Sequence, residues 1–341
     1  MVPPRVTVFI PVYNRVAFVA EAIESILRQE CADFELLVVD DGSTDGSADV
    51  IRSFRDPRIR AVYHERNLGI PVTRNHGLDL ARGSYIALLD SDDRACPRRL
   101  GVQADFLDRH ADVAVVGSWW ASRRDDGRLR PFGIMPVSAD EVRSRLLFHC
   151  ALSQSTIMAR TAVLRARRYP EDCAVSSDFA LWVRLAVEAR LVNLPRFLVT
   201  RRMHPRRITY EAAELVRRTK LGIFAEQLTA LEVSFDESDL EGHFLLLHLR
   251  SGGVTVPEGY PDWAEVWLRR LAEANGRTRR YPEPTFTRVL AEVWLAACLQ
   301  CASSHGWSVW KTFWASPLSR DLPAVVARHA SMLVRRSVPT D

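Results

Sequence analysis

From Val6 to Val116, short unbroken apolar runs alternate with segments of helical spacing. Val6–Ile10, Leu36–Val39, Ile59–Tyr63, Tyr85–Leu89 and Val113–Val116 read as strands. Between them lie the helical patterns Ala17–Gln29, Asp45–Phe54, Val72–Ala81 and Arg98–Arg109. A strand with no polar alternation is covered on both faces. Strands joined by helices pair in parallel through right-handed crossovers, so the spacing predicts a mixed, mostly parallel twisted sheet flanked by helices. The stretch that follows is less regular. It reads as a hairpin near Ser118–Phe132, a strand at Ser155–Ala159, a helix at Asp178–Ala189 and a strand at Phe197–Met203.

After about residue 210 the pattern becomes helical, at Ala212–Leu231, Asp239–Leu249, Trp263–Ala274, Phe286–Cys301 and Ala324–Val334. Six of the nine tryptophans fall here. Two domains are expected, 1–209 and an all-α 210–341. The charge divides with them: residues 210–341 hold 15 basic and 16 acidic residues, against 46 and 42 in the whole chain. A net charge of +4 is too small to make nucleic acid the main partner. Six scattered cysteines do not form a disulfide framework, and a reducing cytoplasmic setting is expected. The amino terminus lacks a signal-peptide layout, and no apolar run reaches about 18 residues.

In an open parallel sheet, ligands bind beyond the carboxyl ends of the strands. Four polar clusters follow four strands: Pro11-Val12-Tyr13-Asn14, Asp40-Asp41-Gly42-Ser43, Asn67-Leu68-Gly69 with Arg74-Asn75, and Asp90-Ser91-Asp92-Asp93. Three carboxylates within four residues repel one another, and a hard divalent cation such as Mg2+ or Mn2+ relieves the conflict. The plainer alternative is that Ser91, Asp92 or Asp93 caps the helix after Pro97. Asp40 and Asp41 suit a turn, or a carboxylate that accepts N–H groups from a nucleobase edge, with Gly42 allowing close approach. Arg74 is a surface arginine or a partner for phosphate or for the acidic cluster. Asp178 is a helix cap or a general base. His204, beside Arg201, Arg202, Arg206 and Arg207, is structural or contacts metal or diphosphate. Cys298 and Cys301 read as buried thiols on one helix face, since a structural zinc site needs a second pair.

Taken in order and spacing, these clusters resemble the family 2 glycosyltransferases over about residues 5–205. Gly83-Ser84-Tyr85-Ile86 before the acidic cluster fits the same pattern. The resemblance implies an A-type glycosyltransferase fold and an inverting transfer from a nucleotide sugar. It implies that Pro11, Tyr13, Asn14, Asp41, Arg74, Asp90, Ser91 and Asp92 form the donor site, with Pro11 and Asp41 at the nucleobase. Asp92, Asp93 and His204 would hold Mn2+ or Mg2+, and Asp178 would be the base. The segment from Ser177 to Leu185 is similar to the family's Glu-Asp-x-x-Leu-Trp-x-Arg-Leu stretch, with Ser177 in place of the glutamate. Arg201-Arg202-Met203-His204 resembles a later arginine-x-histidine element near the diphosphate. Uridine is the expected nucleoside, with thymidine and guanosine open. The expected acceptor is a glycan, a lipid-linked molecule or a protein, in polysaccharide or glycoconjugate synthesis.

Other readings fit less well. A pyrophosphorylase resembles a glycine-rich loop with arginine after the first strand, where this chain has Pro11-Val12-Tyr13-Asn14. A dinucleotide dehydrogenase needs G-x-G-x-x-G after a strand, and none is present. A degenerate, scaffold-like transferase has only Ser177 in its favour. For the helical region, acceptor recognition, homodimer formation and contact with the inner membrane face through the basic stretch Leu318–Arg336 are open.

Overall fold

A computed structural model describes residues 3–123, 129–204, 212–247 and 257–321. They fall into two compact units. One holds residues 3–139 and 151–213; the other holds 140–150 and 214–321, within the described ranges. Residues 140–150, inside the stretch expected to form the first domain, therefore group with the helices.

The first unit is built on a mixed sheet. Its early strands are β1 (Val6–Val12), β2 (Phe34–Asp40), β3 (Ile59–Tyr63) and β4 (Tyr85–Leu88). The later ones are β5 (Arg94–Ala95), β6 (Val113–Arg123), β7 (Leu129–Gly133), β8 (Met158–Arg160) and β9 (Arg190–Arg202). The order is β3-β2-β1-β4-β8-β6-β9-β5, with β7 paired to β6. The long ladders β1·β2, β1·β4, β2·β3 and β6·β9 are parallel. Short antiparallel ladders join β8 to β4 and to β6, and β5 to β9.

The helices of this unit are α1 (Val19–Leu27), α2 (Ser47–Ser53), α3 (Ile70–Leu80), α4 (Arg99–Arg109), α6 (Thr161–Arg167) and α7 (Ser177–Leu185), while α5 (Ala139–Arg145) groups almost wholly with the second unit. Every residue of β2 is buried, as the unbroken apolar run requires. In α1, Val19, Ala22, Ile23 and Ile26 recur at helical spacing and are fully buried in the same core cluster. Gly77 of α3 lies against β1: a Cβ there would stand 2.4 Å from the Phe9 ring.

Two expectations shift. The expected strand Ser155–Ala159 opens as a 3-10 turn, Gln154–Thr156, and only then becomes β8. The run Ser153–Thr156 satisfies itself locally, with the Thr156 hydroxyl donating to the Ser153 carbonyl, and this draws it out of the ladder. The expected strand Phe197–Met203 is the second half of the 13-residue β9.

The second unit is helical: α8 (Ala213–Ala230), α9 (Glu237–Leu245), α10 (Tyr260–Thr278), α11 (Thr285–His305) and α12 (Ser308–Ala315). Trp267, Trp294, Phe286 and Leu268 form its core together with Leu147 and Phe148. Buried His243 has a fixed neutral form: Nε2 donates to the Leu147 carbonyl at 2.8 Å, and Nδ1 accepts from the Trp267 indole at 3.0 Å. Cys298 and Cys301 are free and fully buried, and burial pushes the Cys301 thiol up to about 11. No helix among the described residues is long and apolar enough to cross a membrane. The expected helix Ala324–Val334, most of the basic stretch, and Arg206 and Arg207 lie outside the described residues.

Candidate active site

The loops after β1, β2, β3 and β4 carry the site, starting from the acidic cluster. Asp90, Asp92 and Asp93 each place a carboxylate oxygen within 4.8 Å of the others. None of them caps the next helix: the cap position of α4 is Arg98, with no side-chain cap. Asp93 is 2% exposed. Its Oδ2 lies 2.5 Å from the Ser155 hydroxyl and accepts from Arg201 Nε at 3.3 Å; its Oδ1 accepts the Arg202 N–H at 3.1 Å. Burial pushes its carboxyl up to about 7; Arg201 opposes the shift, while Asp92 and Asp90 add to it. Asp90 and Asp92 are half-buried and more open to solvent. The Ser155 hydroxyl also lies 2.8 Å from Asp90 Oδ2. His204 Nε2 lies 2.9 Å from Asp92 Oδ2, and its ring stands 4.7 Å from that of Phe18. Its Nδ1 is buried without a hydrogen-bond partner. Clustered carboxylates with an imidazole nitrogen are a donor set that fits Mg2+ or Mn2+.

Arg99 sits at the end of β4, beneath this cluster. It is fully buried, and its Nη2 donates to the Leu88 and Ile157 carbonyls at 2.8 and 3.0 Å. Burial brings it down to about 10, against the pull of Cys96, Asp93 and Asp90. Gln103, one turn on, accepts from Arg99 Nε and donates to the Val116 and Thr156 carbonyls. The pair fixes the β4 end and the Gln154–Thr156 turn that brings Ser155 to the acids. Sequence reading missed both Arg99 and Ser155. The signal for Arg99 was polar side chains at i and i+4 on the face of α4 that also carries Leu100, Ala104 and Leu107.

Arg74 reaches from this cluster to Ser177, the residue before Asp178. The Arg74 guanidinium lies 3.7 Å from Asp90 Oδ1, 3.4 Å from the Ser177 hydroxyl and 5.3 Å from the centroid of the Tyr169 ring. Tyr169 is buried, which pushes its hydroxyl up to about 12; Arg74 opposes the shift, and Asp178 and Asp90 add to it. Asp178 is half-buried in the first turn of α7. The residue that starts this helix is Ser176, in a left-handed conformation and with no side-chain cap, so Asp178 is not the cap. The neighbouring Asn75 amide donates to the Tyr169 carbonyl and its oxygen accepts the Tyr169 N–H, which ties this segment to α3.

The loops after β1 and β2 are laced together. Asn14, at φ 51°, accepts the Thr44 N–H through its side chain and donates its own N–H to the Ser43 hydroxyl. Tyr13 is 44% exposed, and Pro11 lies in the β1·β2 ladder opposite Val39. Asp40 makes the turn, accepting the Ser43 N–H at 2.8 Å. Asp41 instead accepts the N–H groups of Leu68 and Gly69 at 2.9 and 3.0 Å. Gly42 has φ +71°, and a Cβ there would stand 2.4 Å from the Arg66 carbonyl carbon. Ser91 is buried between Asp90 and Asp92.

A sheet of this order, with carboxylates beyond β4 and helices behind, has the A-type fold of sugar-nucleotide-dependent transferases. Solved structures agree. The Staphylococcus aureus protein TarS, residues 1–349 with UDP-GlcNAc, superposes with a TM-score of 0.58 at 21% identity, covering 89% of this chain and 92% of that one. The Pyrobaculum calidifontis mannosyltransferase PcManGT, with GDP-Man and Mn2+, gives a TM-score of 0.50 at 20% identity, covering 92% and 84%. The family model for glycosyl transferase family 2 matches residues 7–168. A Bacillus subtilis protein named for a teichuronic acid biosynthesis glycosyltransferase, TuaG, is 40% identical over 188 residues, covering 53% of this chain and 72% of that protein. The uncharacterized glycosyltransferase MJ1057 of Methanocaldococcus jannaschii is 30% identical over 213 residues, covering 61% and 73%. This chain belongs to glycosyltransferase family 2. It spans only 30% of the length of a matching Rickettsia felis relative.

Proposed function

We propose that the chain transfers a sugar from a nucleoside diphosphate donor to an acceptor hydroxyl, inverting the anomeric centre, with Asp178 as general base. One observation carries the reading: Arg74 bridges from Asp90 of the acid cluster to Ser177, the residue just before Asp178. Displacement at an anomeric carbon needs a base at the acceptor hydroxyl and charge stabilisation at the leaving diphosphate.

Asp92, with Asp90, Asp93 and His204, would hold a divalent cation. When bound, that ion supplies charge to the leaving diphosphate without moving a proton. Arg74 orients the donor's charged end, and its stacking on Tyr169 restrains its side chain. Asp178 accepts the proton of the acceptor hydroxyl as that oxygen attacks the sugar. The transition state is oxocarbenium-like, as in glycoside hydrolysis, so positioning of the base governs the rate. TarS in complex with UDP-GlcNAc supports a uridine donor; PcManGT with GDP-Man and Mn2+ supports a metal and keeps guanosine open. The family supports a glycan-type acceptor.

Replacing Asp178 tests the role. Asp178→Asn should bind the donor as the parent does and lose transfer by about 10²–10⁴-fold, the usual contribution of a positioned base. Transfer at near-parent rates would remove Asp178 from the chemistry.

A further inference from the structure

Asp41 is one end of a chain of three buried or half-buried groups. Its Oδ1 accepts the Leu68 N–H at 2.9 Å and lies 2.8 Å from His64 Nδ1; its Oδ2 accepts the Gly69 N–H at 3.0 Å. Asp41 and His64 expose only 5% and 7% of their side chains. His64 Nε2 lies 2.8 Å from His76 Nδ1, and the two rings stack at 5.0 Å with 19° between their planes. An ionised carboxylate has no hydrogen to give, so His64 Nδ1 must carry one. His64 Nε2 and His76 Nδ1 face each other and need a single hydrogen between them. With both rings neutral it sits on His76 Nδ1, and each N–H then points along the chain toward Asp41. Burial, with His64 adding, lowers His76 from its ordinary value and favours the neutral ring.

These hydrogens constrain the carboxylate. Each carboxylate oxygen has about two acceptor positions. Both positions of Oδ1 are taken, while Oδ2 has one partner and one position left. His64 also fixes the rotation of Asp41, and through it the turn Asn67–Gly69.

We propose that His64 and His76 are positioning residues for the donor's nucleobase: they hold Asp41 so that the remaining acceptor position of Oδ2 faces a ring N–H of the base. The proposal rests on the donor-site reading of Asp41 above. Without His64 the carboxylate can rotate and its N–H partners in the turn loosen, so the loss falls on the base and spares the diphosphate.

Calorimetric titration with UDP, GDP and inorganic pyrophosphate, each with Mn2+, separates the two ends of the donor. His64→Ala should weaken the nucleotide that the parent binds by about tenfold or more, the scale of a lost hydrogen bond to a charged group. Pyrophosphate should stay within about twofold, since its contacts lie at the acid cluster. His64→Asn, whose amide can still donate to Asp41, should recover most of the loss. His76→Ala, a change at the half-buried end, should give a smaller loss of the same kind. Unchanged nucleotide binding in His64→Ala would overturn the proposal, as would equal loss of nucleotide and pyrophosphate. If His64→Ala does not fold, His76→Ala decides: an unaltered ratio of nucleotide to pyrophosphate affinity overturns it. A parent protein that binds none of the three with Mn2+ brings down the donor-site reading and this proposal together; a parent that binds while the variants match it brings down this proposal alone.

Discussion

Single side chains carry distinct duties here. Asp93 is taken up by Arg201, Arg202 and Ser155, whereas Asp92 meets His204 and stands more open to solvent. Removing one charge from Asp92 should therefore weaken donor binding only when metal is present. Asp92→Asn should lose at least about tenfold in Mn2+-dependent affinity for the nucleotide, with no change in chelator; equal affinity with Mn2+ in both proteins would argue against Asp92 as a ligand. His76 offers a prediction in pH. Its folded value is lowered, chiefly by burial, so the unfolded chain takes up its proton first as pH falls. The contribution is fully present above the ordinary histidine value of about 6.5 and is lost below it. Between about pH 7.5 and 5.5 the melting temperature of the parent should drop relative to that of His76→Asn. Parallel curves for the two proteins would contradict this.

Individual elements explain which parts of the site were legible in advance. The four clusters announced themselves because each directly follows an apolar run, and a parallel sheet brings such positions to one edge. Gly42 was visible for the same reason, and its geometry makes a sharp test: φ +71° and a backbone 2.4 Å from any Cβ. Gly42→Ala should cost about 2 kcal/mol or more in chemical denaturation, from strain and displacement of Arg66–Asn67; a loss near zero would mean the turn can yield. The hidden parts come from far along the chain. Ser155 reaches Asp90 and Asp93 because residues 154–156 coil instead of extending, and local hydroxyl bonds decided that against an alternating pattern. Tyr169 was one aromatic among many until Asn75 pinned its backbone beneath Arg74. His64 and His76 are 12 residues apart, one beyond β3 and one within α3, and only the fold brings their rings together.

At the scale of the whole molecule, chemistry and bulk are divided. Among the described residues, the acidic triad is the one group of three or more histidine, cysteine or acidic side chains placed to hold a metal. It lies in the first unit, where the basic excess also lies. The second unit is built on tryptophan packing and buried thiols. The central claim is that the first unit grips a sugar nucleotide through a metal held by clustered carboxylates. Isothermal titration with UDP-, GDP- and thymidine diphosphate sugars, in Mn2+ and again in chelator, tests it most directly. The account predicts that one of these donors binds in Mn2+ and at least about tenfold more weakly in chelator. Failure of all three to bind in either condition, or equal affinity in both, would contradict it.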